Sequence, residues 1–257
     1  MAGAARPLLS RLFTPNYTAM AAGHSPSPTR RLAHLTRHLL ASSSSSSGEL
    51  SSVGAPAAAS PARATASKGF AAVLVCIFQD PRGDTRVLLT KRASSLNSHS
   101  GEVSLPGGKV EDGDADVKTT ALREAEEEIG LDPALVSVVT VLEPFLSKNG
   151  LDVTPVIGIL SDRSLFNPVL NKDEVEDIFD APLEMFLKDD NRTTRERNWM
   201  GMTIPVQFFD YETEGKKYVI WGLTAHILTR AAAVVLQRQP SFAELPRPKS
   251  APLSSKH

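Results

Sequence analysis

Cysteine is almost missing from this chain. Among 257 residues only Cys76 occurs, so no disulfide can form within it. Its setting, the apolar run AAVLVCIF, makes it a small core residue rather than a nucleophile. Long apolar runs are missing too: no stretch approaches the roughly eighteen residues of a membrane span, and no membrane partner is expected. Net charge is scarce, at −1, but unevenly spread. Residues 1–66 hold six arginines (Arg6, Arg11, Arg30, Arg31, Arg37, Arg63), no lysine and one acid, Glu49. The remainder carries 22 bases against 28 acids, a net of −6. So acidic a body does not match a nucleic-acid binder. The length suits one globular domain with appendages.

The first 66 residues lack the means to build a core. Ala, Ser, Pro and Arg dominate, with six consecutive serines at Ser42–Ser47. An Arg-rich, Ser-rich, acid-poor N-terminus reads as an organelle transit peptide and linker. Within it, RRLAHLTRHLL sets Leu32, Leu35, Leu39 and Leu40 on one side and Arg31, His34, Arg37 and His38 on the other. A basic amphipathic helix favours mitochondria over chloroplasts; the alternative is that this helix belongs to the folded body. His24, His34 and His38 have no acidic or cysteine companions, which argues against a metal role for them. The domain is expected over residues 67–239. The proline-containing stretch 240–257 reads as a disordered tail.

Within the domain, Phe70–Phe78 is a continuous apolar run of buried-strand length, and Asp80–Asp84 is a turn. Arg86–Arg92 completes a hairpin, and the loop Ser94–Gly101 leads to an extended piece, Glu102–Leu105. Val136–Leu142 and Val153–Leu160 are β-branched runs typical of strands. Asn171–Asp180 is an acidic stretch, followed by a short helix at Pro182–Leu187. Residues 189–201 show no apolar period and read as a loop. Thr203–Tyr211 and Lys217–Trp221 form a second hairpin, and Leu223–Gln237 has helical apolar spacing. Hairpins mixed with about three helices predict an α+β fold.

The most informative stretch is Gly107–Leu131, GGKVEDGDADVKTTALREAEEEIGL. Asp114 or Asp116 can cap a helix here, and Gly130 suits the left-handed position past its end. Val117, Ala121, Ala125 and Ile129 draw one apolar ridge. Glu124 and Glu128, four apart, share a face at the edge of that ridge; Glu127 lies one row over and Glu126 points elsewhere. Like charges so crowded cost stability unless a cation intervenes, and an all-oxygen cluster suits a hard ion, Mg²⁺ or Mn²⁺. A solvated acidic face is the plainer reading of such a run taken alone.

The wider pattern favours the site. Gly108, Asp114 and Arg123-Glu124-Ala125-Glu126-Glu127-Glu128-Ile129-Gly130-Leu131 resemble the Nudix box: G, five residues, E, seven residues, R-E-U-x-E-E-x-G-U, with U bulky and apolar. Asp114 stands for the glutamate, eight residues rather than seven follow it, and Ala125 is small for its position. Upstream, LLTKRASSLNSHSGEVSLPGG (Leu88–Gly108) resembles the signature of the coenzyme A diphosphatase branch. Leu88, Leu89, Thr90, Arg92, Ala93, Gly101, Pro106, Gly107 and Gly108 match it; Asn97 replaces an arginine and Leu105 a phenylalanine. Together the two motifs cover Leu88–Leu131.

The resemblance implies a mixed β-sheet sandwiched between α-helices and a Nudix diphosphatase dependent on Mg²⁺ or Mn²⁺. Its substrate would be CoA or acyl-CoA, split to 3′,5′-ADP and 4′-phosphopantetheine or its acyl derivative. A broader hydrolase of ADP-ribose, NADH or oxidised nucleotides is the alternative, and a non-catalytic binding module of the same fold is a third. Metal ligands would be Glu124, Glu127 and Glu128, with a carbonyl of Gly108 or Gly107, where the backbone can approach closely. Arg123, one turn from Glu127, would orient it. Glu124 is the first choice for general base, with Glu174 and Glu176 as rivals. Arg92, Lys91, Asn97, Gly101 and Gly107 are the substrate-binding candidates, with Arg195 and Arg197 as further phosphate partners. Asn97 cannot supply a cation to a phosphate. A homodimer is a possible assembly of this chain.

Overall fold

The computed structural model describes residues 69–199 and 201–245, Trp199 by its backbone alone. The leader, its Leu32–Leu40 segment and the chain beyond Leu245 lie outside the described residues.

An eight-stranded mixed sheet forms the centre. Strand β1 (Phe70–Gln79) turns through Asp80, whose carboxylate accepts the N–H groups of Arg82 and Asp84 at 2.9 Å, into β2 (Thr85–Arg92). β1 also pairs in parallel with β7 (Asp152–Leu160), from Phe70↔Asp152 to Ile77↔Ile159. Short strands β3 (Val103–Ser104) and β4 (Gly107–Lys109) add to β2 and β1 respectively. β5 (Val136–Val141) and β6 (Phe145–Leu146) add to β7. β8 (Val175–Pro182) runs antiparallel to β2.

Both faces of β1 are covered, which is why its sequence is continuously apolar rather than alternating. Ala72, Leu74, Cys76 and Phe78 face helix α1 (Val117–Ile129) and its Ala121, Ala125 and Ile129. Ala71, Val75 and Ile77 face the second core, filled by helix α2 (Gly222–Leu236), Phe186 and Phe209. Each fully buried side chain of this size contributes about 1.5–3 kcal/mol. Cys76 is fully buried, and that burial pushes its thiol up to about 12. A second, three-stranded sheet, β11 (Lys216–Trp221), β10 (Met202–Thr213) and β9 (Arg192–Trp199), packs beside α2. The architecture is α+β, a mixed sheet with one helix on each face.

Four sequence readings are corrected or completed by the structure. Residues 189–201, read as a loop, contain β9, paired with β10 from Arg192↔Phe209 to Trp199↔Met202. The strand lies at an edge and is held by backbone pairing, so it needs no apolar alternation. The acidic stretch Asn171–Asp180 ends in β8, whose charges are individually neutralised: Glu176 by Lys91, Asp177 by Lys216 and Asp180 by Arg86. Residues 240–245, assigned to the disordered tail, lie against the body. Ser241 donates to the Leu187 carbonyl at 2.8 Å, and Phe242 packs near Phe209 beneath the guanidinium of Arg192. The helix expected at Pro182–Leu187 is a 3-10 turn over Leu183–Leu187.

Candidate metal and diphosphate site

The site is built on α1. Of the two candidate caps, Asp116 takes the role, accepting from Lys118 N at 3.0 Å and Thr119 N at 2.9 Å. Gly130, at φ 69°, closes the other end. Asp114 serves another purpose: it receives Arg123 through Nε at 3.0 Å and a terminal nitrogen at 3.1 Å. The buried Thr120 hydroxyl and the Glu111 N–H complete its contacts, and together these hold the Asp114 carboxyl well below the usual carboxylate range. Arg123 then reaches Glu127 at 2.9 Å, Glu124 at 3.2 Å and the Lys109 carbonyl at 3.2 Å. Asp114 anchors the arginine, and the arginine aligns the two glutamates.

Glu128, one turn on from Glu124 in α1, is only 3% exposed. Its Oε2 accepts the Gly107 N–H at 3.1 Å, and Arg92 stands 3.8 Å from Oε1. Burial pushes its carboxyl up to about 7, against the pull of Gly107 and Arg92, while the charges of Glu124 and Glu174 push it further. Glu124 is also raised, first by burial and then by Glu127 and Glu174, despite Arg123.

The two glycines make the close approach possible. Gly107, at φ +151°, lies so tightly on β1 that a Cβ would strike the Ala72 carbonyl oxygen and Val73. A Cβ on Gly108 would enter the Glu124 carboxylate. Among the described residues no three Asp, Glu, His or Cys side chains form a ready-made metal cage. The donor set nevertheless fits a divalent cation. Its oxygens are hard, two of its carboxyls are raised by burial and mutual charge, and glycine backbone adjoins them.

The remaining candidates divide. Arg92 is brought to the carboxylates. Lys91 is turned away onto Glu176 at 2.6 Å, and Ser94 binds the other oxygen of Glu176 at 2.5 Å. Asn97 is exposed on the loop. Gly101, at φ +68°, donates to the Arg92 carbonyl at 3.2 Å and borders open space. Arg195 and Arg197 lie on β9. Sequence reasoning missed Asn171: its N–H bonds the Glu128 carbonyl at 2.9 Å and its amide bonds Glu174 at 3.2 Å. Nothing in the local sequence distinguishes that asparagine, because both partners are brought to it by the fold.

With this geometry the comparisons with known proteins agree. The NUDIX domain model matches residues 69–211. The chain belongs to the Nudix family. It is 64% identical over 174 residues to the mitochondrial Nudix hydrolase 15 of Arabidopsis thaliana, covering 68% of this chain and 61% of that protein. It is 58% identical over 206 residues to the chloroplastic Nudix hydrolase 22 of the same plant, covering 80% and 68%. A mouse relative, the peroxisomal coenzyme A diphosphatase NUDT7, is 36% identical over 162 residues, covering 62% and 68%. This Nudix chain is thus related to organellar plant Nudix hydrolases and to a CoA diphosphatase, and it spans about 60–70% of the length of those relatives.

Proposed function

We propose that this protein is a mitochondrial, Mg²⁺- or Mn²⁺-dependent coenzyme A diphosphatase. It would split CoA or acyl-CoA into 3′,5′-ADP and 4′-phosphopantetheine or its acyl derivative. The observation that carries the reading is the junction of the two motifs: Arg92 and Gly107, from the Leu88–Gly108 signature, both meet Glu128 of the box helix. The named activity of the mouse relative supports the substrate class. The Arg-rich, acid-poor leader and one mitochondrial relative support the compartment, with the chloroplast as alternative.

In this reading Glu124, Glu127 and Glu128, with the Gly108 carbonyl, would hold the ion. When bound, it offsets phosphate charge and acidifies water. A water oxygen forms a new bond to one phosphorus, the bridging P–O bond breaks, and the other phosphate departs with the bridging oxygen. Glu124 takes the water's proton. Glu176 is occupied by Lys91 and Ser94, which leaves Glu174 as the rival base. Arg92 faces the incoming phosphates, and Arg123 keeps Glu124 and Glu127 aligned.

The test is a substrate panel of CoA, dephospho-CoA, ADP-ribose and NADH with Mg²⁺, scored by product identity. CoA should give the highest kcat/KM, with 3′,5′-ADP as product. Equal rates across the panel would replace this reading with the broad one. Absence of turnover on all four would leave a binding module.

A further inference from the structure

The last carbonyls of an α-helix have no partner within it, and α1 ends on the side chains of the site. Here the segment leading into β8 takes two of them. The Val169 N–H donates to the Ile129 carbonyl at 3.0 Å, and the Asn171 N–H donates to the Glu128 carbonyl at 2.9 Å. Gly130 lets the segment lie close, since a Cβ there would come within 3.1 Å of the Val169 side chain. The chain then turns on Asn171. Its carbonyl accepts from Glu174 N at 3.0 Å and Val175 N at 2.8 Å, and its side-chain oxygen accepts from Asp173 N at 3.2 Å. Only the amide nitrogen is left over, and it donates to the Glu174 carboxylate at 3.2 Å.

Glu174 is fixed from the other side by β2. Its carbonyl accepts the Ala93 N–H at 2.8 Å, and the next residue, Val175, lies opposite Arg92. It is thus seated between the strand end that brings Arg92 to Glu128 and the helix end that carries Glu128. The other carboxylates there have cations: Glu128 faces Arg92, while Asp114, Glu124 and Glu127 face Arg123. Glu174 is half-buried and forms no ion pair among the described residues. Burial raises Glu124 and Glu128, and the charge of Glu174 raises both further. A carboxylate kept beside like charges costs stability unless a cation is shared.

We propose that Asn171 is a positioning residue of the metal site: its amide holds the Glu174 carboxylate beside Glu124 and Glu128, where it shares their cation. The inference rests on the metal part of the reading above and not on its substrate. The amide's share can be isolated, because the backbone bonds of Asn171 survive a change of side chain.

Titration of the full chain with Mn²⁺ alone, read by the paramagnetic resonance signal of the free ion, tests it without substrate. Asn171→Ser keeps the backbone bonds and an oxygen for the Asp173 N–H, but is too short to reach Glu174. It should weaken Mn²⁺ binding roughly tenfold to hundredfold, with the melting temperature close to wild type. Glu174→Gln should weaken binding at least as much. Adding Asn171→Ser to Glu174→Gln should bring no further loss, because the amide acts only through that carboxylate. Should the serine variant fail to fold, Asn171→Thr is judged by the same cycle. Unchanged affinity in the Asn171 variants, or losses that multiply in the double variant, overturns the proposal. Mn²⁺ binding lost in Glu128→Gln but kept in Asn171→Ser would leave the metal reading standing and remove this one. No binding by the wild type would remove both. The expected cycle in a protein unable to hydrolyse CoA would keep the positioning role and remove the diphosphatase reading.

Discussion

Glu126 and Glu128 are two residues apart on α1 and meet opposite surroundings, one in solvent and the other 3% exposed against Gly107 and Arg92. Glu128→Gln and Glu124→Gln should each lower kcat roughly a hundredfold or more through loss of metal binding. Both should leave the melting temperature unchanged or higher, because a costly buried charge is removed. Glu126→Gln should be silent in the same assays; damage equal to that of Glu128→Gln would refute the face assignment. The glycines separate in another way. Gly108→Ala meets only the movable end of Glu124 and should cost activity, whereas Gly107→Ala meets β1 backbone and should cost about 1–3 kcal/mol of stability. Denaturant melts with matched kinetics distinguish the two. The alignment of Glu124 with Glu128 was legible because helical spacing is local. The meeting of Arg92 with Glu128 was not, because it depends on how β2 and β4 lie beside α1.

Elements with continuous apolar runs announced themselves, and those whose buried residues alternate with paired charges did not. β8 carries Glu176, Asp177 and Asp180 and reads only as an acidic stretch until the fold supplies Lys91, Lys216 and Arg86. Asp177 binds Lys216 at 2.6 Å and the Tyr218 hydroxyl at 2.9 Å, joining the two sheets. Burial works to raise its pKa, but these bonds prevail and hold it below the ordinary aspartate value. A lowered folded pKa contributes stability above the unfolded value of about 4, and that contribution is lost as pH falls through the folded value. Asp177→Asn should therefore cost about 0.5–1.5 kcal/mol at pH 7. The gap from wild type should close below about pH 4; a pH-independent gap in urea melts would contradict this account.

For the whole molecule, the leader makes its own prediction. Residues 1–66 fused to a fluorescent reporter should carry it into mitochondria. A cytosolic reporter would return Leu32–Leu40 to the folded body, and a plastid signal would select the alternative compartment. The central strand offers a different use. Cys76 lies at the middle of β1, enclosed by α1 on its face and β7 alongside, with its thiol held in the unreactive protonated form. Only the thiolate attacks disulfides and alkylating agents, and no fraying of an edge uncovers this one. Its capture by an aromatic disulfide reagent should thus run at the rate of global opening, a single-event clock for the lifetime of the native state. Labelling should quicken in step with unfolding measured by circular dichroism as denaturant is added. Faster labelling than unfolding would mean that β1 opens by itself.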